Sequence, residues 1–286
     1  LKFGFIANHQ KIKEISTFYD ELIQWLEKNK VSYFFEEQFA KLLEFRQPIP
    51  LYPFSELVEK ADIIVTLGGD GTILSTAREI GFLEKPILGF HLGNLGFLAE
   101  LTRKTYQEKL KNVLNGDYVL DKRMVIQAKI CFSGETLIYH ALNDIVISKG
   151  TFPRMIRYTV EVEAELINRY YADGLIVATP TGSTAYNLSA NGPILMPDID
   201  AFVINPICPH SLTNRPVVLS ANRTLTIRFT DVDEGTHITA DGQVFKPVTP
   251  DCVVQICKAP FTVQLVRQKD SSYFQVLRSK LLWGSQ

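Results

Sequence analysis

The first third of the chain switches between two hydrophobic periods. Lys2 to Ala7 (KFGFIA) is a short, nearly unbroken apolar run and predicts a buried strand. Ile12, Ile15, Tyr19, Leu22 and Leu26 then recur at helical spacing, which predicts an amphipathic helix over roughly residues 11 to 30. Val31 to Phe35 reads as a second strand, and an irregular stretch punctuated by Pro48, Pro50 and Pro53 follows it. FSELVEKA predicts a short helix. Ile63 to Leu67 predicts a third strand that runs straight into Gly68-Gly69-Asp70-Gly71-Thr72, with a helix expected from about Ile73 to Ile80 and another strand in PILGF. Strands alternating with helices in this way imply an α/β domain with a parallel sheet.

The pattern changes after Asn115-Gly116. VIQAKI, TLIYHA, DIVIS, YTVEVEAEL, GLIVAT, VVLS, TLTIRF, HITADG, CVVQIC and FTVQLV are short strand candidates, and turn chemistry such as Ser133-Gly134 and Asp233-Glu234-Gly235 separates several of them. YTVEVEAEL alternates apolar and charged residues, as one strand with a wet face does. Helical spacing returns only in the tail, LRSKLLWG. The expected organisation is an α/β amino-terminal domain over 1–116, joined by the tail 268–286, and a mostly-β sandwich carboxy-terminal domain over 117–267. There is no internal repeat and no low-complexity segment.

Composition narrows the function classes. The 286 residues are 46% hydrophobic and 21% charged, which suits a globular chain with a real core. A formal net charge of -1 argues against a broad electrostatic grip on nucleic acid. No apolar run approaches the about 20 residues needed to span a bilayer, so no membrane partner is expected. The opening LKFGFIAN lacks the basic region and cleavage site of a signal peptide. Cys131, Cys208, Cys252 and Cys257 show neither zinc spacing nor a CxxC pair, so they read as small apolar filler in a reducing compartment, and a cytoplasmic location is expected.

Three clusters carry candidate chemistry. Gly68, Gly69 and Gly71 at a strand end let backbone amides approach a ligand, as in an anion-binding nest, and the next helix adds its positive end. Asp70 stands among them. A carboxylate there is repelled by phosphate, so it suits a proton acceptor or a metal contact; the plainer reading makes it the N-cap of the next helix. No Gly-Lys-Ser/Thr follows, so the loop is not a Walker A motif. In the second cluster, GLIVATPTGSTAY, small hydroxyl residues surround Gly182 and Tyr186 offers a ring for a base, although a loop rich in Ser and Thr is also commonplace. The third is Asn143-Asp144, suited to a ribose diol or an amine; Asp241-Gly242-Gln243 is a similar signal or simply a hairpin turn.

Taken together these stretches resemble the NAD kinase family. The resemblance rests on GGDGT at 68–72, LGNLGFL at 92–98, LND at 142–144, ADGLIVATPTGSTAYNLSANGPI at 172–194, NPICPHSLTNRPVVL at 205–219 and DGQ at 241–243. Diacylglycerol-type lipid kinases and phosphofructokinases share a loop like GGDGT, but not the TPTGSTAY and PHSLTNRP blocks. The resemblance implies phosphoryl transfer from ATP to the adenosine 2′-hydroxyl of NAD, with Mg2+ accompanying the triphosphate. The alternatives are a lipid or sugar kinase sharing the GGDGT loop, or a non-catalytic dinucleotide sensor. The family's site lies between an α/β domain and a β-sandwich, and its members form homodimers or homotetramers. Carried over residue by residue, the resemblance makes Asp70 the proton acceptor and Gly68, Gly69, Gly71 and Thr72 the phosphate contacts. It assigns NAD to Asp70, Gly71, Asn143, Asp144, Arg154, Asp173, Thr184, Ala185, Tyr186, Asn187, Leu188, Ser189 and Gln243. Three positions depart from the family pattern. Asp144 stands where many members have Glu, Tyr171 stands where several bacterial members have Arg, and Asn191 stands where Gly is frequent.

Overall fold

In the computed structural model, which describes residues 1–7, 15–41, 48–93, 96–151 and 154–284, the chain divides into two units. One is Leu1–Lys122 with Val263–Gln286, the other Arg123–Thr262. Residues 11–14 of the expected first helix, and Asn94 and Leu95 of LGNLGFL, lie outside the described residues.

The first unit is an α/β layer built on a parallel sheet. Its elements are β1 (Lys2–Ala7), α1 (Tyr19–Lys28), β2 (Ser32–Glu36), α2 (Glu37–Ala40), β3 (Leu51–Tyr52), α3 (Phe54–Lys60), β4 (Ile63–Gly68), α4 (Asp70–Ile80), β5 (Ile87–His91), β6 (Leu101–Thr102) and α5 (Tyr106–Leu114). The strand order is β3-β2-β1-β4-β5, all parallel, with β6 added alongside β5. Central strands covered on both faces have no solvent side, which is why KFGFIA and IIVTLG are near-continuous apolar runs. Phe3, Phe5, Ile63, Val65 and Leu67 pack with Leu22 and Leu26 of α1 and Tyr106 and Leu110 of α5 in one core.

The second unit is a sandwich of antiparallel strands. It contains most of β7 (Val119–Phe132), then β8 (Glu135–Ala141), β9 (Asp144–Ser148), β10 (Ile156–Val162), β11 (Glu165–Ala172), β12 (Gly174–Ala178), the short α6 (Tyr186–Ser189), β13 (Ala201–Ile207), β14 (Val217–Ser220), β15 (Leu225–Asp231), β16 (His237–Ala240) and β17 (Val244–Pro247). The long β18 (Val253–Arg267) belongs to this unit through Thr262 and to the first from Val263, where Leu265 pairs in parallel with Ile87. The tail ends in α7 (Tyr273–Leu281). One sheet runs β14-β13-β12-β9-β16-β17; the other contains β11-β10-β15-β18, with β7 on β18 and β8 on β7. Leu175, Val177, Ile145 and Phe202 of the first sheet meet Tyr158, Val160, Ile227 and Val254 of the second in the core. On the other face of β12, Ile176 and Ala178 pack with Val146, Val203 and Leu195, so GLIVA is buried throughout.

Three expectations about strands need correction. YTVEVEAEL is not one strand: β10 and β11 pair with Val162 opposite Glu165, and Glu163 and Ala164 form the turn with φ of 50° and 69°. Such tight hairpins favour Gly, Asn or Asp at both central positions, and this chain supplies neither, so the turn carries no compositional signal. CVVQIC and FTVQLV are parts of the single strand β18. AFVINPI, unpredicted because it carries Pro206, is strand β13, with Pro206 opposite Leu175.

Candidate active site

In the first unit, β4 ends at Gly68 and α4 begins at Asp70, three residues earlier than the hydrophobic period suggested. Gly69 is the N-cap in extended conformation (φ -127°, ψ -170°), and none of Gly68, Gly69 and Gly71 has a left-handed φ. Their backbone is therefore not of the αR-αL kind. What this strand end offers an anion is the positive end of an eleven-residue helix. Thr72, expected among the phosphate contacts, turns inward: its amide donates to the Gly69 carbonyl (3.0 Å), and its hydroxyl is buried with no partner among the described residues.

Asp70 does not cap its own helix. Its carboxylate accepts hydrogen bonds from the amides of Phe97 (2.7 Å, to Oδ2) and Leu98 (3.3 Å, to Oδ1). Bonds of this kind to a charged acceptor are about twice as strong as neutral ones. The approach requires Gly96, because a Cβ there would lie 2.0 Å from Asp70 Oδ1. His91, at the end of β5, flanks the same loop: its Nε2 is 3.5 Å from where a Cβ on Gly69 would stand. Hydrophobic periodicity contains no sign of either contact.

In the second unit, three sequence-distant clusters meet. The Asp241 carboxylate accepts from the amides of Leu142 (3.0 Å), Asn143 (2.7 Å) and Asp144 (3.2 Å), and the Asp241 amide donates back to the Asp144 carbonyl (3.0 Å). Asp241 and Gly242 both have positive φ, so the hairpin reading of DGQ also holds. Thr179, fully buried after β12, donates its hydroxyl to the Leu142 carbonyl (2.6 Å), and its amide donates to the Asn143 carbonyl (2.8 Å). Gly182 lies flat on the same turn: a Cβ there would be 2.0 Å from the Asn143 carbonyl oxygen, so no other residue fits. Arg123, a buried cation that the sequence reading passed over, donates to the Thr181 hydroxyl (3.1 Å).

Asp144 is 5% exposed, and its carboxyl is pushed up from 3.8 to about 7. Burial is the larger cause, because it disfavours the charged form, and the nearby Asp241 charge adds to it. Tyr186 presents an exposed ring. Thr184, Ala185 and Leu188 are partly exposed, and Ser189 and Gln243 are exposed.

The Asn187 side chain turns inward. It is fully buried, its Nδ2 donates to the carbonyls of Ser183 (3.1 Å) and Pro193 (3.0 Å), and its Oδ1 accepts from Asn205 (3.1 Å). These bonds shape the loop that carries Thr184 to Ser189. Asn191, where the family often has Gly, adopts φ 58°, a region asparagine tolerates better than most residues.

The expected acceptor residues do not all come together. β9 and β12 pair with Ala178 opposite Asp144 and Gly174 opposite Ser148. Asp173 thus lies at the far end of this strand pair from Asn143, level with Lys149, six strand steps or roughly 20 Å away. There it forms an ion pair with Lys149 (2.7 Å). Tyr171, which replaces the family's Arg, carries the Arg157 guanidinium on its ring face (4.1 Å from the centroid), so a positive charge is still present beside that position. The His210 ring is 5.5 Å from the Tyr171 ring, and the His210 amide donates to the Tyr171 carbonyl. Arg154 is exposed.

Comparison with known proteins bears on the family. The ATP-NAD kinase N-terminal domain profile matches residues 3–118, and the ATP-NAD kinase C-terminal domain profile matches residues 142–268. The NAD kinase of Geobacter sp. (strain M21) is 43% identical over 267 residues, 93% of each chain. That of Chlorobium phaeobacteroides (strain BS1) is 37% identical over 285 residues, 99% of this chain and 98% of its own. Among solved structures, yeast NADH kinase complexed with NADH matches with a TM-score of 0.88 at 25% identity, covering 100% of this chain and 88% of that one. An NAD kinase from Archaeoglobus fulgidus in complex with ATP matches with a TM-score of 0.73 at 25% identity, covering 99% of each. With both domain profiles matched in order and relatives of this identity along nearly its whole length, the chain belongs to the NAD kinase family.

Proposed function

We propose that this chain makes NADP by moving the terminal phosphoryl group of ATP onto the 2′-hydroxyl of the adenosine ribose of NAD. The observation that carries the reading is Asp70: a carboxylate at the start of the helix after β4, with both oxygens oriented by amides of one loop. Phosphoryl transfer asks a protein mainly for positioning and charge stabilisation. In this reading Gly68, Gly69 and Gly71 let the triphosphate approach the positive end of α4. Asp70 orients the acceptor hydroxyl and takes its proton as the bond to phosphorus forms.

The second unit recognises NAD. Asn143, Asp144 and Gln243 take ribose and nicotinamide-side groups, while Thr184, Ala185, Tyr186, Leu188 and Ser189 take the adenosine side with Arg154 and Asp173. Carboxyl groups there suit an acceptor rich in hydroxyl and amide groups, whereas they would repel a triphosphate. With its carboxyl near neutrality, Asp144 offers both a donor and an acceptor.

Among the described residues no group of three or more His, Cys, Asp or Glu side chains is arranged to hold a metal ion. In this reading Mg2+ arrives with the nucleotide, since magnesium is commonly held by substrate phosphates plus one or two carboxylates. The ion would neutralise developing charge on the phosphoryl oxygens. Homo-oligomer formation through the second unit and a cytoplasmic location belong to the same reading. Exposed Leu166 on β11 and Val218 on β14, both on edge strands, support the first, and four free cysteines support the second.

Incubation of the pure chain with ATP, magnesium and NAD tests the reading. NADP and ADP should accumulate one to one. Binding of NAD with no NADP formed would indicate a dinucleotide sensor. Phosphorylation of a lipid or sugar in place of NAD would indicate a different kinase.

A further inference from the structure

The loop that orients Asp70 is itself anchored by two buried charges, all within the first unit. The Phe97 carbonyl accepts a hydrogen bond from Arg267 Nη2 (2.9 Å), at the end of β18. That carbonyl belongs to the same peptide plane as the Leu98 N–H, which donates to Asp70 Oδ1. Arg267 also gives Nη1 to Glu100 Oε2 (3.2 Å), and its Nε is 3.6 Å from Asp121 Oδ2. The Glu100 amide donates to the Gly89 carbonyl in β5 (2.9 Å), and its Oε1 receives Lys109 Nζ (2.8 Å). An unbroken path thus runs from Glu100 through the Arg267 guanidinium and the Phe97–Leu98 peptide to the Asp70 carboxylate.

Glu100 and Arg267 are 4% and 8% exposed. Removing two charges from water is costly, and well-packed apolar residues of similar volume often serve stability as well or better. Stability alone therefore does not account for the pair. Geometry does. The guanidinium is a planar fork with donors in fixed directions, able to hold a carboxylate and a backbone carbonyl together. A cation on the Phe97 carbonyl also polarises that peptide, strengthening the bond its N–H makes to Asp70.

We infer that Arg267 and Glu100 are positioning residues for phosphoryl transfer, setting the direction of the Asp70 carboxylate through the Phe97–Leu98 peptide. The inference rests on the reading of Asp70 as proton acceptor. An apolar lining at these positions would hold the fold but leave the loop free to turn its amides away from Asp70.

Steady-state kinetics on the full chain test it, with ATP and NAD each varied. Arg267→Lys keeps the charge and the pair with Glu100 but loses the fork that also reaches Phe97. It should lower kcat by roughly tenfold to a hundredfold, the scale of a small misplacement of a reacting group, with both KM values essentially unchanged. Combined with Asp70→Asn it should add little to the loss from Asp70→Asn alone, because both act on one group. Arg267→Met alone leaves Glu100 Oε2 without its cation, with Lys109 remaining only on Oε1, and is expected to be less stable. The double change Arg267→Met with Glu100→Met removes both charges; it should keep the thermal midpoint and still lose kcat. Wild-type kcat in Arg267→Lys or in the double apolar variant would overturn the inference. So would losses confined to KM, or losses that multiply with Asp70→Asn. Failure of the underlying reading shows separately, as turnover retained by Asp70→Asn alone.

Discussion

Asp70 and Asp144 both sit at the end of an apolar strand, yet their surroundings differ. Asp70 is partly exposed, and amides from one loop meet each of its oxygens. Asp144 is buried beside Asp241, which takes for itself the three amides of the 142–144 turn. At Asp70 the amides of Phe97 and Leu98 orient the two carboxylate oxygens. At Asp144, burial and a like charge push the carboxyl toward its neutral form. The difference fits the proposed division of labour, with proton acceptance at the first and recognition at the second. Asp241, in turn, acts on the backbone it ties together.

The sharpest break in this comparison comes from Asp70→Asn. The shape is kept and the proton acceptor is lost, so turnover should fall by about 10²–10⁴-fold, the usual contribution of general acid–base catalysis, while calorimetry still shows NAD binding. A variant retaining more than about a tenth of the wild-type rate would remove the acid–base assignment. Asp144→Ala should act on the other substrate. Leaving a buried hydrogen-bonding partner unsatisfied costs about 1–3 kcal/mol, so kcat/KM for NAD should drop roughly fivefold to a hundredfold, with the KM for ATP little altered. An equal loss on the ATP side would mean that the two clusters have been assigned to the wrong substrates.

The smallest effect concerns pH. The Asp144 carboxyl has a folded value of about 7 against an ordinary 3.8, so between these limits the folded chain holds a proton that the unfolded chain releases. Stability from this group is greatest below about pH 4, falls as pH rises toward 7, and then levels off. Asp144→Asn removes that slope. Its thermal midpoint should exceed the wild type's at pH 8, with the gap closing as pH falls toward 4. Parallel midpoint curves would show that Asp144 ionises freely in the folded chain.

Local chemistry was legible wherever a residue's neighbours in sequence are also its neighbours in space. The period of KFGFIA and IIVTLG announced buried parallel strands, and the turn residues of the second half announced a β-rich unit. GGDGT and TPTGSTAY marked both candidate sites. Glu163-Ala164 hid a hairpin because neither residue has turn chemistry, and Pro206 hid β13 because proline argues against a strand. The commitment of the Asn187 amide to Ser183, Pro193 and Asn205 left no mark in the local sequence.

The sequence by itself determined the family, the two kinds of sheet and the residues at the strand ends, because strand period, turn chemistry and motif spacing are short-range properties of the chain. Only the tertiary structure decided which groups those residues face. It placed Gly96 against Asp70, Gly182 against Asn143, Asp241 under the 142–144 turn, and Arg267 on the Phe97 carbonyl. These contacts join segments from 26 to 170 residues apart. No local pattern encodes them, since each is fixed by how packed layers bring distant backbone within hydrogen-bond reach.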